Sequence, residues 1–219
     1  KWIEWNQVPI GSKIEWHPYN VSERIINLIT YLQVLRQSNI AIEGLPLVID
    51  ALRVHSDYLV INLEYPASGV VNNHILNNAR ALYFAGTFLN SQKLISISKT
   101  IFEKNIGSMV DDYGFLLEGS CHYQLLLTRS LLEIKELALL DGDKNFISIV
   151  SNLSVKMLGA SQFLMIKSVD GFVRFPLIGD VSPDFSSDWF YPIEGREQSG
   201  WQKIWDPTPF PELHLLRFA

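Results

Sequence analysis

"NNHILNNARALYFAGTF", residues Asn72–Phe88, decides how this chain folds. In its right half Leu76, Ala79 and Tyr83 recur at spacings of three and four. That spacing puts them on one face of an α-helix, predicted from about Val70 to Leu89. Its left half gathers four asparagines and a histidine where the helix begins. Asn73, Asn77 and Arg80 fall at i, i+4 and i+7, a second stripe that is polar. Asn72 or Asn73 is suited to capping the helix. The first-turn N–H groups lack helical partners, and the helix dipole there favours anions.

The helical period extends outward in both directions. Upstream, Ile25, Leu28, Ile29, Leu32 and Leu35 repeat at threes and fours from Val21 on, with Asn20 or Ser22 as candidate cap and Glu23 in the first turn. A second helix is expected over Pro46–Leu63, started by its proline and broken by "EYPASG". Downstream, "SQKLISISKTIFEKN" is a fourth helix capped by Ser91. Ser120 caps a fifth over about 121–140, and a sixth covers about Lys144 to Gly159. "IGSMVDDYGFLLEGS" (106–120) reads as a looped insert between helices. Asp170-Gly171, set between alternating apolar runs, signals a β-hairpin. Residues 1–20 and the last forty are irregular and rich in tryptophan and proline. Short breaks between helices suggest antiparallel helical hairpins. No period marks a standard solenoid.

Composition narrows the function classes. With 47% hydrophobic and 19% charged residues in 219, the chain can bury a sizeable core and has no disorder signature. A net charge of −5 gives no general attraction to nucleic acid or an anionic membrane, so neither is an expected partner. No apolar run reaches the roughly 18–20 residues that span a bilayer. A single cysteine, Cys121, rules out an internal disulfide. No His/Cys/carboxylate spacing supports a zinc site, and no metal or cofactor is expected. The chain starts at Lys1 without a signal-peptide core. It is expected to have lost a leader or to be part of a longer protein.

Four stretches resemble the heparinase II/III-like polysaccharide lyases, including relatives from bacterial surface-polysaccharide gene clusters. They are "WHPYNVSERIINLI" (16–29), "NNHILNNARALYFAG" (72–86), "DDYGFLLEGSCHYQLLLTRSLLE" (111–133) and "PLIGDVSPDFSSDW" (176–189). The resemblance implies an all-α fold, an incomplete α/α toroid of helical hairpins over 1–160. A β-hairpin and irregular segment (161–219) would then lead to a β-sandwich domain beyond this sequence. It also implies β-elimination on a uronate-containing acidic polysaccharide, in the periplasm or cytoplasm of a bacterium. The catalytic residues it implies are Asn73, His74 and Tyr123. Asn77, Arg80, Glu118, His122 and Gln124 would bind substrate or support the site. At one position this sequence departs from the family, which has His directly after the motif's Tyr where Gln124 stands here. His122, on the other side of Tyr123, is about 100° away around the helix and does not replace it.

These residue types suit the chemistry the resemblance implies. An amide N–H or imidazolium aimed at the uronate carboxylate tolerates the charge that develops as the neighbouring proton leaves. A tyrosine can take that proton and protonate the leaving oxygen when nearby positive charge favours its phenolate. Plainer roles compete: a cap for Asn72 or Asn73, a structural imidazole for His74, a half-buried core phenol for Tyr123, and an ion pair for Arg80, with Glu118 one candidate. A non-catalytic glycan-binding or assembly protein on the same scaffold is the alternative function, favoured by Gln124. A glycoside hydrolase using Asp111, Asp112 and Glu118 is a second alternative. Asp180 and Asp184 read as turn formers rather than metal ligands. The tryptophans at 2, 5, 16, 189, 201 and 205 read as packing rather than sugar platforms.

Overall fold

The computed structural model describes residues 13–65, 72–167 and 173–181, together with Ile3 and Pro9. Six α-helices stand among them: α1 (Pro18–Gln37), α2 (Leu45–Ile61), α3 (Asn73–Phe88), α4 (Gln92–Asn105), α5 (Cys121–Asp141) and α6 (Lys144–Leu164). The chain is mostly helical, as its periodicity predicts. The described residues divide between Asn105 and Ile106 into two compact units.

The first unit is built around α3, which packs against α1, α2 and α4. From Ile75 to Phe88 every residue of α3 except Asn77 is buried, so this helix is enclosed on all sides rather than two-faced. Leu76, Ala79 and Tyr83 are buried as their spacing predicts. Each large side chain among them contributes about 1.5–3 kcal/mol by leaving water. Gly86 lets α4 approach closely, because a Cβ there would meet Ile95 and the Ser91 carbonyl. Ser98 Oγ of α4 donates to the Ala79 carbonyl of α3 at 2.7 Å. Ser91 Oγ accepts from Leu94 N at 3.5 Å, the cap expected there.

Helix α1 begins earlier than its hydrophobic pattern suggests. Pro18 takes the first turn after His17, and neither Asn20 nor Ser22 caps it. Asn20 instead donates to the Ile14 carbonyl at 2.7 Å, and Ser22 is buried as a partner of Asn78. Trp16 is enclosed. It stacks on His55 of α2 with centroids 5.0 Å apart, and Arg24 lies over its ring. Trp16 is therefore a packing residue; the other five tryptophans lie outside the described residues.

The second unit pairs α5 with α6 across Gly142-Asp143. Gly142 takes the left-handed conformation that ends α5, and Asp143 caps α6 by accepting from Asn145 N and Phe146 N. Helix α6 runs past the boundary expected near 160, to Leu164. The 106–120 insert is a looped segment as expected, closed by the Val110–Leu116 bridge. Asp111 Oδ1 caps its turn, accepting from Tyr113 N at 2.9 Å and Phe115 N at 2.8 Å. Gly114 has φ +93° and lies so close to the Lys156 backbone that a Cβ would collide with it. Strands β1 (Ile166–Lys167) and β2 (Val173–Arg174) pair antiparallel, with Ile166 opposite Arg174. The Asp170-Gly171 turn expected between them lies outside the described residues.

Candidate functional site

Asn72 is the cap of α3, its side chain accepting from His74 N at 3.2 Å. Asn73 and His74 are then the first two helical residues, half-buried at the start of the helix. The cap is thus Asn72, and capping is not the role of Asn73.

His74 is held from below. Its Nδ1 lies 3.0 Å from Glu64 Oε1, and its ring sits 4.9 Å from that of Tyr19. Glu64 belongs to the segment just after α2, which the sequence marks only as a helix break. Its other oxygen accepts from Asn78 Nδ2 at 2.9 Å, and its backbone N–H donates to Asn78 Oδ1 at 2.9 Å. Asn78, fully buried, also donates to Ser22 Oγ at 3.1 Å. His17 Nε2 approaches Glu64 Oε1 at 3.7 Å. Burial pushes the Glu64 carboxyl up. The hydrogen bonds from His74 and Asn78 and the charges of His74 and His17 outweigh it and hold the carboxyl below its ordinary value. A carboxylate on Nδ1 accepts hydrogen from that nitrogen and fixes the orientation of the ring.

The second expected cluster lies at the start of α5. Ser120 caps it, accepting from Tyr123 N at 3.1 Å. Tyr123 is half-buried, and its hydroxyl donates to Asp180 Oδ2 at 3.1 Å. The sequence reading expects positive charge near this phenol; the neighbour found is a carboxylate. The His122 ring lies edge-on to that of Tyr123 at 5.5 Å.

A scan against family models matches the heparinase II/III N-terminus family over residues 1–165. The chain belongs to that family. No curated protein and no solved structure matches it.

Within this heparinase II/III chain the remaining expected residues separate by environment. Arg80 is buried. It donates to Glu23 Oε1 at 3.3 Å and Asn77 Oδ1 at 3.2 Å, and lies over the Phe84 ring. Glu23, whose sequence position marks only the first turn of a helix, is an ion partner of Arg80. The Asn77 amide nitrogen is enclosed and has no hydrogen-bond partner among the described residues. Glu118 is exposed on the insert.

Gln124 corrects the expectation of a substrate contact. It is 1% exposed, and both ends of its amide are occupied. Oε1 accepts from Leu116 N at 2.7 Å, and Nε2 donates to Gly114 O at 2.9 Å, with Met157 O and Ser161 Oγ at 3.3 and 3.4 Å. It ties the insert to α5 and α6, and a buried amide satisfied this fully is a structural element. Asp111 is likewise committed to its turn, which weakens the paired-carboxylate alternative.

Glu64 and Asn78 are the residues that sequence reasoning missed. Asn78 follows His74 by four positions, one helical turn, and that spacing was the available signal. Nothing local marked Glu64, whose partners are ten and fourteen residues away. Among the described residues no group of three His, Cys, Asp or Glu side chains is arranged to hold a metal ion, and no helix is long and apolar enough to cross a membrane.

Proposed function

We propose that this chain is the helical portion of a polysaccharide lyase that cleaves a uronate-containing acidic polysaccharide by β-elimination. Family membership supports a polysaccharide-lyase reading. The observation that carries the residue assignment is the carboxylate-held imidazole of His74 beside Asn73 at the start of α3. In this reading Asn73 and His74 neutralise the uronate carboxylate, and Tyr123 moves the proton as base, acid or both. His122 would contact the sugar, Arg80 and the enclosed Asn77 would keep the start of α3 in place, and Glu118 would lie at the margin. The helices would form an incomplete α/α toroid, and a β-sandwich domain of the same protein would supply a further His or Tyr. Without that domain, activity is expected to be absent or very weak.

The test is the full reading frame incubated with a panel of uronate polymers, monitored by the ultraviolet absorbance of the unsaturated uronate. Tyr123→Phe and His74→Ala should each lower the rate by roughly 10²-fold or more while binding persists. Wild-type protein that binds a polymer but never produces the unsaturated end would refute the lyase reading. That result would establish the second one, a glycan-binding protein on the same scaffold. Gln124 favours that second reading: where the family has an imidazole, this chain has a core amide.

A further inference from the structure

The stretch "PLIGDV" (176–181) is part of the fourth stretch that resembles the family, and neither the helical core nor the proposed chemistry uses it. It is seated on the start of α5 by successive contacts. Phe175 packs beside Leu125. The Ile178 carbonyl accepts from Cys121 N at 3.1 Å, one of the first-turn N–H groups that α5 cannot satisfy itself. Gly179 has φ +78° and lies against Gly119 and Ser120 so closely that a Cβ would collide with their backbone. The Asp180 carbonyl accepts from Ser120 Oγ, the same hydroxyl that caps Tyr123 N. Only then does the Asp180 carboxylate accept the Tyr123 phenol hydrogen.

From this we infer that Asp180 is a positioning residue for Tyr123, delivered by a backbone strap over residues 175–181. An exposed hydroxyl–carboxylate bond contributes little when both ends must be ordered for it. Here the strap's backbone orders Asp180 and the Ser120 cap orders Tyr123, so the bond forms between groups already in place. The bond to Asp180 fixes where the phenol oxygen stands, and so the side from which it meets the substrate. Asp180 acts on substrate only through Tyr123. The inference rests on the assignment of Tyr123 to the reaction, whereas the strap itself does not.

The full-length protein carrying 13Cζ-tyrosine supplies a readout independent of turnover, with the Tyr123 resonance assigned by its absence in Tyr123→Phe. Asp180→Ala should displace that resonance and lower kcat/KM about tenfold, the size of one positioning hydrogen bond. Asp180→Asn retains an acceptor oxygen and should bring both back to within about threefold of wild type. Gly179→Ala, which leaves Asp180 chemically intact, should displace the resonance as Asp180→Ala does by unseating the strap. A Tyr123 resonance that stays at its wild-type position in Asp180→Ala overturns the inference, as does Asp180→Asn behaving like Asp180→Ala. Displacement by Ala and return with Asn, in a wild-type protein that yields no unsaturated product, keeps the positioning contact and sinks the lyase reading alone.

Discussion

His74 Nδ1 lies 3.0 Å from Glu64 Oε1 while Asn78 Nδ2 lies 2.9 Å from Glu64 Oε2, so one carboxylate serves two donors, one on each oxygen. Only a carboxylate has that capacity; an amide has one acceptor oxygen and one donor nitrogen. Glu64→Gln therefore leaves either His74 or Asn78 facing an NH2 group. The expected outcome is a mixed His74 tautomer by 15N NMR where wild type shows hydrogen on Nδ1. A loss of about 1–3 kcal/mol of stability should accompany it. If His74 works as proposed, kcat/KM falls roughly tenfold to a hundredfold. An unchanged tautomer in Glu64→Gln would show that the carboxylate does not set it.

Asn78 joins three parts of the first unit: α3 itself, Ser22 of α1, and the Glu64 segment after α2. Its side chain is fully buried. Asn78→Ala strands the Glu64 N–H and one Glu64 oxygen without their partner and opens a small cavity. The expected cost is about 2–4 kcal/mol, read as a lower urea midpoint with an unchanged slope. Asn73→Ala, at a half-buried neighbouring position, should cost less than about 1 kcal/mol and so separates site from scaffold.

The helices were legible because burial imposes a period. Leu76, Ala79 and Tyr83 announced α3, and Ser91 and Ser120 announced two starts. The start of α1 was legible only in Pro18, a first-turn proline that lies ahead of the hydrophobic period; no side chain caps it. The site was legible where it is local: Asn73 and His74 lie in one turn. It was opaque where partners come from elsewhere. Glu64 reaches His74 across the 65–73 link, and Asp180 reaches Tyr123 across 57 residues. Gln124 stands where the family has His and reads in sequence as a residue of the substrate site; only its carbonyl and N–H neighbours mark it as a core amide.

His55 makes the fold acid-sensitive. It is 1% exposed, stacked on Trp16, with Nδ1 donating to the Ala51 carbonyl. Burial, opposed by that bond and reinforced by Arg24, lowers its pKa from 6.5 to about 4. The unfolded chain therefore binds a proton between those values while the folded chain does not. The stability it contributes is complete above 6.5 and is lost as pH falls towards 4. Glu64, also held below its ordinary value, acts in the same sense at lower pH, its contribution lost as pH falls through the folded value. Stability should drop by about 2 kcal/mol from His55 between about pH 7 and pH 5. His55→Phe retains the stack with Trp16 and should flatten that dependence in urea titrations; an equal slope in both proteins would show that another group is responsible.

Restoring the family's imidazole tests whether Gln124 is a lost catalytic group or a gained structural one. The Gln124 amide accepts from Leu116 N and donates to the Gly114 carbonyl, with Met157 O and Ser161 Oγ nearby. An imidazole is shorter and offers one donor and one acceptor when neutral. Gln124→His cannot span from the insert to α6 and leaves at least one buried group unpaired, at a cost of about 1–3 kcal/mol. The insert should loosen first, so amide exchange at Leu116 and Phe115 should accelerate before that of α5. No gain in cleavage is expected, because the side chain faces Gly114 and α6 rather than solvent. A Gln124→His protein that keeps its urea midpoint and acquires lyase activity would identify position 124 as part of the catalytic site and reverse the assignment made from its hydrogen bonds.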